Sequence, residues 1–182
     1  MSGKLISVPA RDGGNRFIRA VHMVSTVSGW TAAALLVVSL AITCQMIVSR
    51  HFLGNSTIWQ TETVIYLVIA ALCLGLPYVQ LLRGHVNVDL LPMMMPPGLR
   101  FWWKVVVMIT TMAVIALMAW YSYDYWHQAY QRNWRSPSVW GPRLWIVWTA
   151  MPLGFGLMLL QLIADFVALL RGHDQPFWLE EG

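Results

Sequence analysis

The residues most able to do chemistry are five histidines, His22, His51, His85, His127 and His173, and two cysteines, Cys44 and Cys73. A membrane b-type haem needs two histidines at matching depth on facing helices. None of these histidines lies mid-span: His22, His85 and His173 fall on one side and His51 and His127 on the other, with His22 and His85 an example of a pair that could hold a haem near one surface. The cysteines lie in different apolar runs and form no Cys-x-x-Cys, so they read as packing residues, not redox thiols. There is no Ser/His/Asp set, glycine-rich phosphate loop or metal-spaced ligand cluster. The expectation is therefore a protein that is not an enzyme and carries no cofactor.

A second set has more definite spacing. Arg50 precedes a short loop, Trp59-x-x-Glu62 follows it, and Arg83-x-His85-x-x-x-Asp89 stands after the next apolar run. A carboxylate at a helix N-terminus gains about 0.3–1 kcal/mol from the macrodipole. Buried among helices, Glu62 would instead need a partner such as Arg50. Arg83 and His85 suit the anchoring of a helix end, and Asp89 could hold the next turn through either. All six read as architecture, and none as a substrate ligand.

What must position them is membrane-spanning helix. The chain has 182 residues, is 58% hydrophobic and only 11% charged, against about 25% for a soluble domain. Uncharged runs cover Ala20–Ser49, Thr63–Leu82, Val105–Tyr123 and Leu144–Ala164, of 30, 20, 19 and 21 residues. About 20 apolar residues span a hydrocarbon core of about 30 Å. The expected fold is an all-α integral membrane protein with spans near 23–48, 63–82, 104–123 and 144–166. Residues 1–22 and 167–182 would be cytoplasmic segments. Uninterrupted runs do not fit barrel strands. The first run is too long for a signal-peptide core and lacks a clear cleavage site.

Lysine and arginine set the orientation. Lys4, Arg11, Arg16, Arg19, Arg83, Arg100, Lys104 and Arg171 fall on one side; Arg50, Arg132, Arg135 and Arg143 fall on the other. Both termini are thus expected in the cytoplasm. Twelve basic residues are too sparse for a nucleic-acid face. Trp59, Trp102, Trp103, Trp126, Trp140 and Trp145 sit at span ends, as an interfacial belt requires. Between spans two and three, Pro92, Pro96 and Pro97 forbid one long helix, so a cytoplasmic interfacial amphipathic segment is expected. The stretch 124–143 should begin as a continuation of the third helix, with Trp120, Tyr123, Trp126, His127 and Tyr130 on one face, and break near Ser136-Pro137. It either contacts an external partner or covers the protein's own helices.

Helix faces follow from 100° per residue. Ser25, Gly29, Ala32, Ser39 and Thr43 form a small-residue stripe on the first span. Glu62, Tyr66, Ile69, Cys73, Leu76 and Gln80 line the second; Gly154, Met158, Gln161 and Asp165 line the fourth. Small residues let helices approach closely in lipid, and polar ones should face protein. The stripes serve either an internal core or another membrane subunit. Gly75 with Pro77, and Pro152, could bend the second and fourth spans. No charge lies near a span centre, so a complete carrier is not expected.

The run Arg50 to Asp89 resembles the small membrane (DctQ-like) subunit of tripartite ATP-independent periplasmic (TRAP) transporters. Ser136-Pro137-Ser138 leading through Trp145 to Met151-Pro152-Leu153-Gly154 extends the resemblance, which covers roughly 20–172. Thr61 stands where family members often carry a second acid. The resemblance implies a small permease subunit in the bacterial inner membrane. It would scaffold a large membrane permease subunit (DctM-like) in sodium-coupled import of organic acids delivered by a periplasmic substrate-binding protein. Sodium would bind the large partner, and the lipid bilayer is the remaining partner. The alternative is a four-helix anchor of a redox complex holding haem or quinone.

Overall fold

The computed structural model describes residues 16–54, 57–82 and 97–170. Among these described residues, four helical spans are long and apolar enough to cross a membrane. They comprise α1 (Arg16–Leu53), α2 (Ile58–Leu81), α3 (Pro97–Gln131) and a fourth span made of α4 (Leu144–Trp148) followed by α5 (Ala150–Leu170). The interfacial segment expected between spans two and three lies largely outside the described residues, as do Arg83, His85 and Asp89.

The helices outrun the uncharged stretches. α1 has 38 residues and α3 has 35. At 1.5 Å per residue these are about 57 and 52 Å long, well beyond a core of about 30 Å. α1 exceeds the expected 23–48 at both ends and α3 begins at Pro97 instead of near 104, while its continuation past 123 agrees with the expectation for 124–143. The absence of charge marks what the hydrocarbon tolerates, not where a helix ends. Helix continues beyond the uncharged runs through Arg16, Arg19 and Arg50 on α1 and through residues 124–131 on α3. α2 likewise starts at Ile58, not at residue 63.

The two prolines act differently. α2 runs through Pro77, which is almost fully buried. Lacking an N–H, Pro77 cannot bond the Cys73 carbonyl one turn back. Gly154 of α5 packs against that exposed backbone, and a Cβ there would overlap the Cys73 carbonyl. Ser28 of α1 donates its hydroxyl to the neighbouring Leu74 carbonyl. Pro152 leaves the Trp148 carbonyl without its usual donor, and the fourth span is broken at Thr149. There the Thr149 hydroxyl donates to the Trp145 carbonyl at 2.7 Å.

The spans do not close into a ring. α1 packs on α2, α2 on α5, and α5 on α3; α1 touches α5 less extensively. The order across the slab is first, second, fourth, third. The fourth span is thus central, with 44% of its most apolar stretch buried, whereas the corresponding stretch of α3 buries none. The small-residue stripe of α1 faces α2 and α5: Ser25, Ala32 and Ser39 are buried, Gly29 lies under the Tyr78 ring, and the Ala32 methyl approaches Gly75. Leu36, which interrupts the stripe in sequence, is exposed.

Candidate functional site

Two polar layers tie this slab together, one at each end of the spans. The first lies where α1 begins and α2 and α5 end. Gln161 is fully buried, and its line with Asp165 on α5 meets α1 and α2. Ser25 donates to Gln161 Oε1 at 2.7 Å, and Gln161 Nε2 donates to Asp165 Oδ1 at 2.9 Å. Gln80 Nε2 of α2 donates to Asp165 Oδ2 at 3.1 Å. Both carboxylate oxygens are therefore engaged by donors from α2 and α5, and α1 joins the network through Gln161. A charged acceptor strengthens such bonds, and low surrounding dielectric raises the stakes of leaving any member unpaired. His22 is buried in α1 near the same end. Its proposed companion His85 lies outside the described residues.

The second layer lies at the opposite end, around the α1–α2 loop. Arg50 Nη2 donates to the Thr57 hydroxyl at 2.8 Å, just before α2. Thr57 is buried, and its carbonyl accepts the Thr61 N–H at 3.1 Å. Gln60 reaches Gln45 of α1 at 3.4 Å. Glu62 does not meet Arg50. Its Oε1 accepts the Ser136 hydroxyl at 2.9 Å, from the segment joining α3 to α4. The helical screw explains the difference. Gln60 and Thr61 point at Gln45 and Met46 of α1, and one further residue turns Glu62 by about 100° toward that segment. Trp59 is exposed.

The segment 132–143 is a compact hairpin. Asn133 adopts a left-handed conformation (φ 48°) just after α3, as Asn tolerates. Arg135 and Arg143 then form an isolated antiparallel bridge. Ser136 N–H donates to the Pro142 carbonyl and Leu144 N–H to the Trp134 carbonyl, each at 3.0 Å. Gly141, at φ 58°, closes the turn, and its N–H donates to the Ser138 hydroxyl. Below the hairpin, Trp126 Nε1 donates to the Trp145 carbonyl and the Thr149 hydroxyl, at 3.1 and 3.0 Å. Tyr123, His127 and Tyr130 stack around Trp126, and Tyr130 meets Trp145 edge-on. The aromatic face of α3 thereby fastens α3 to the break in the fourth span.

Sequence reasoning placed Gln80, Gln161 and Asp165 on inward faces but not their meeting at one hub. The available signal was Asp165 itself, which ends an uncharged run four residues after Gln161 on the same face. Among the described residues, no group of three or more His, Cys, Asp or Glu side chains converges as a metal site would require. Cys44 and Cys73 are both free thiols, on separate helices.

Residues 39–172 match the family model described as tripartite ATP-independent periplasmic transporters, DctQ component. No curated protein and no solved structure matches the chain. The matched range contains both partners of the Arg50–Thr57 and Glu62–Ser136 contacts, the hairpin and the Asp165 hub. The chain belongs to the DctQ-component family and is a multi-pass small permease subunit of a tripartite ATP-independent periplasmic transporter.

Proposed function

We propose that this chain is the fixed scaffold against which the large membrane permease works, in sodium-coupled import of organic acids captured by the periplasmic binding protein. The observation that carries the reading is the open slab. Among the described residues α3 packs chiefly on the fourth span, and no residue of its apolar centre is fully buried. An apolar face of this length suits a second membrane subunit, while the two polar layers hold the slab's own geometry. Span centres carry no charge, so sodium and substrate belong to the large subunit. This chain needs no cofactor in that role. The membrane is the bacterial inner membrane, with both termini cytoplasmic and the hairpin periplasmic.

Reconstitution tests the reading. Vesicles holding this chain alone should accumulate no organic acid on a sodium gradient. Adding the large subunit and the binding protein should start uptake. Uptake by the lone chain would overturn the scaffold reading. Sidedness is tested with single cysteines at Ser56, Ser138 and Ser2 in a background lacking Cys44 and Cys73. An impermeant thiol reagent should label the first two in intact cells, and labelling of Ser2 alone would invert the orientation.

A further inference from the structure

The hairpin places two positive charges where they repel. Arg135 and Arg143 face each other across the antiparallel bridge. The hydrogen bonds on either side join Ser136 to Pro142 and Leu144 to Trp134, which makes this the non-hydrogen-bonded pair. In such a pair the Cα atoms are about 4.5 Å apart and the side chains leave on one face. Like charges directly opposite are destabilising. Both arginines are exposed, and among the described residues no carboxylate pairs with either. Arg132, also exposed, lies 5.9 Å from the Trp134 ring centre. Of the nearby carboxylates, Asp124 accepts from Gln128, and Glu62 accepts the Ser136 hydroxyl at Oε1 while its buried Oε2 has no hydrogen-bond partner; neither pairs with an arginine of the bridge.

The level of this pair in the fold says what can neutralise it. Arg143 immediately precedes α4, and Ser136, next to Arg135, is held on the second turn of α2. The pair thus lies at the ends of two spans, beside Trp126, Trp145 and Trp148. The hairpin tip beyond it is apolar and bare: Val139 is 92% exposed and Trp140 47%. A valine and a tryptophan exposed at span-end level suit the headgroup layer, where indole is favoured. Phosphate is the oxyanion of that layer, and the planar guanidinium fork matches it in bidentate fashion.

We propose that Arg135 and Arg143 clamp the phosphodiester of an anionic phospholipid headgroup, with Trp140 and Val139 seated among the same lipids. The site belongs to whichever leaflet the hairpin faces, so it stands apart from the scaffold reading.

The test uses the full chain in mild detergent, equilibrated with phosphatidylglycerol and phosphatidylcholine and weighed by native mass spectrometry. The natural sequence should retain phosphatidylglycerol preferentially. Arg135→Ala with Arg143→Ala should lower that preference on the order of tenfold, and the paired Arg→Lys variant by less. Near-ultraviolet circular dichroism checks the aromatic packing of each variant. Equal retention of the two lipids by the natural sequence overturns the proposal without any variant. Displacement by soluble glycerol phosphate at matched concentration would assign a free oxyanion instead. Unchanged lipid retention in the Ala pair, with lost capture of the periplasmic binding protein, would make the hairpin an acidic-protein dock and overturn the lipid assignment.

Discussion

The two polar layers differ in how their charges are satisfied. At the end where α1 starts, one buried carboxylate is shared by Gln80 and Gln161, and Gln161 is shared in turn by Ser25. At the hairpin end, charges are met singly by hydroxyls: Arg50 by Thr57 and Glu62 by Ser136. The arginines of the hairpin bridge meet no carboxylate among the described residues. The first layer is a closed network that joins three spans, and the second is a set of separate pairs with charge left facing outward. A closed buried network fixes geometry and has little to offer a partner. An open layer of single contacts costs less to perturb and keeps charge available to lipid or protein.

That contrast predicts its largest effect at Asp165. Asp165→Leu removes the acceptor of two amide donors at once. Each buried donor left unsatisfied costs about 1–3 kcal/mol. Ordinary neutral contacts between membrane helices average only about 0.6 kcal/mol, so a hub loss should stand well clear of them. The expected loss is roughly 2–5 kcal/mol, read as a lower midpoint of thermal unfolding in detergent by tryptophan fluorescence. Asp165→Asn keeps one acceptor and should lose about half as much. A loss within noise for Asp165→Leu would mean that the layer is not a closed network.

Between the layers, glycine positions give a graded test of packing. Gly154→Ala must move the Cys73 backbone, which a membrane helix resists. Overpacking of this kind costs about 1–3 kcal/mol. Gly29→Ala overlaps the root of the Tyr78 side chain, at Cβ and Cγ, which is fixed to the α2 backbone, so α2 must shift there too. At Gly75 an added methyl meets the Ala32 methyl at 3.7 Å, an ordinary contact. Stability measured in the same detergent should therefore fall clearly for Gly154 and Gly29 and hardly at all for Gly75. Equal losses at all three would show that backbone flexibility, and not the Cys73 contact, sets the effect.

The two ends were unequally legible in the sequence. Four uncharged runs made four spans readable, because hydrocarbon excludes charge over its whole thickness. The run of α3 past Tyr123 was expected, whereas its start at Pro97 and both ends of α1 were not readable, because headgroups tolerate both charge and helix. The inward faces of Gln80 and Gln161 followed from helical periodicity and the expense of amides facing lipid. Their meeting at Asp165 depends on which spans are neighbours, and no single-helix pattern encodes the order first, second, fourth, third. At the hairpin end, Arg50 and Glu62 looked like partners because they are opposite charges close in sequence. The structure instead pairs each with a hydroxyl, a group too common in sequence to signal a contact. Thr57 was reachable as the residue preceding α2, whereas Ser136 lies 74 residues from Glu62.

The smallest predicted effect separates those two pairings directly. Glu62→Gln should retain most stability and assembly, because an amide oxygen still accepts the Ser136 hydroxyl. Glu62→Leu and Ser136→Ala should each cost about 1–2 kcal/mol, since hydrogen bonds to charged groups are worth about 1.5–3 and this one is only part-buried. Arg50 keeps Thr57 in every Glu62 variant, so the penalty of about 3–5 kcal/mol for an abandoned buried charge should not appear. Double-mutant cycles in a denaturant titration measure the coupling. Glu62 with Ser136 should couple by about 1 kcal/mol, and Glu62 with Arg50 by less than about 0.5. A larger Arg50 coupling would restore the ionic pair and remove the distinction between hydroxyl-paired and networked layers. Lost transport in Glu62→Gln, with stability and co-purification of the large subunit intact, would place the carboxylate in the transport cycle itself.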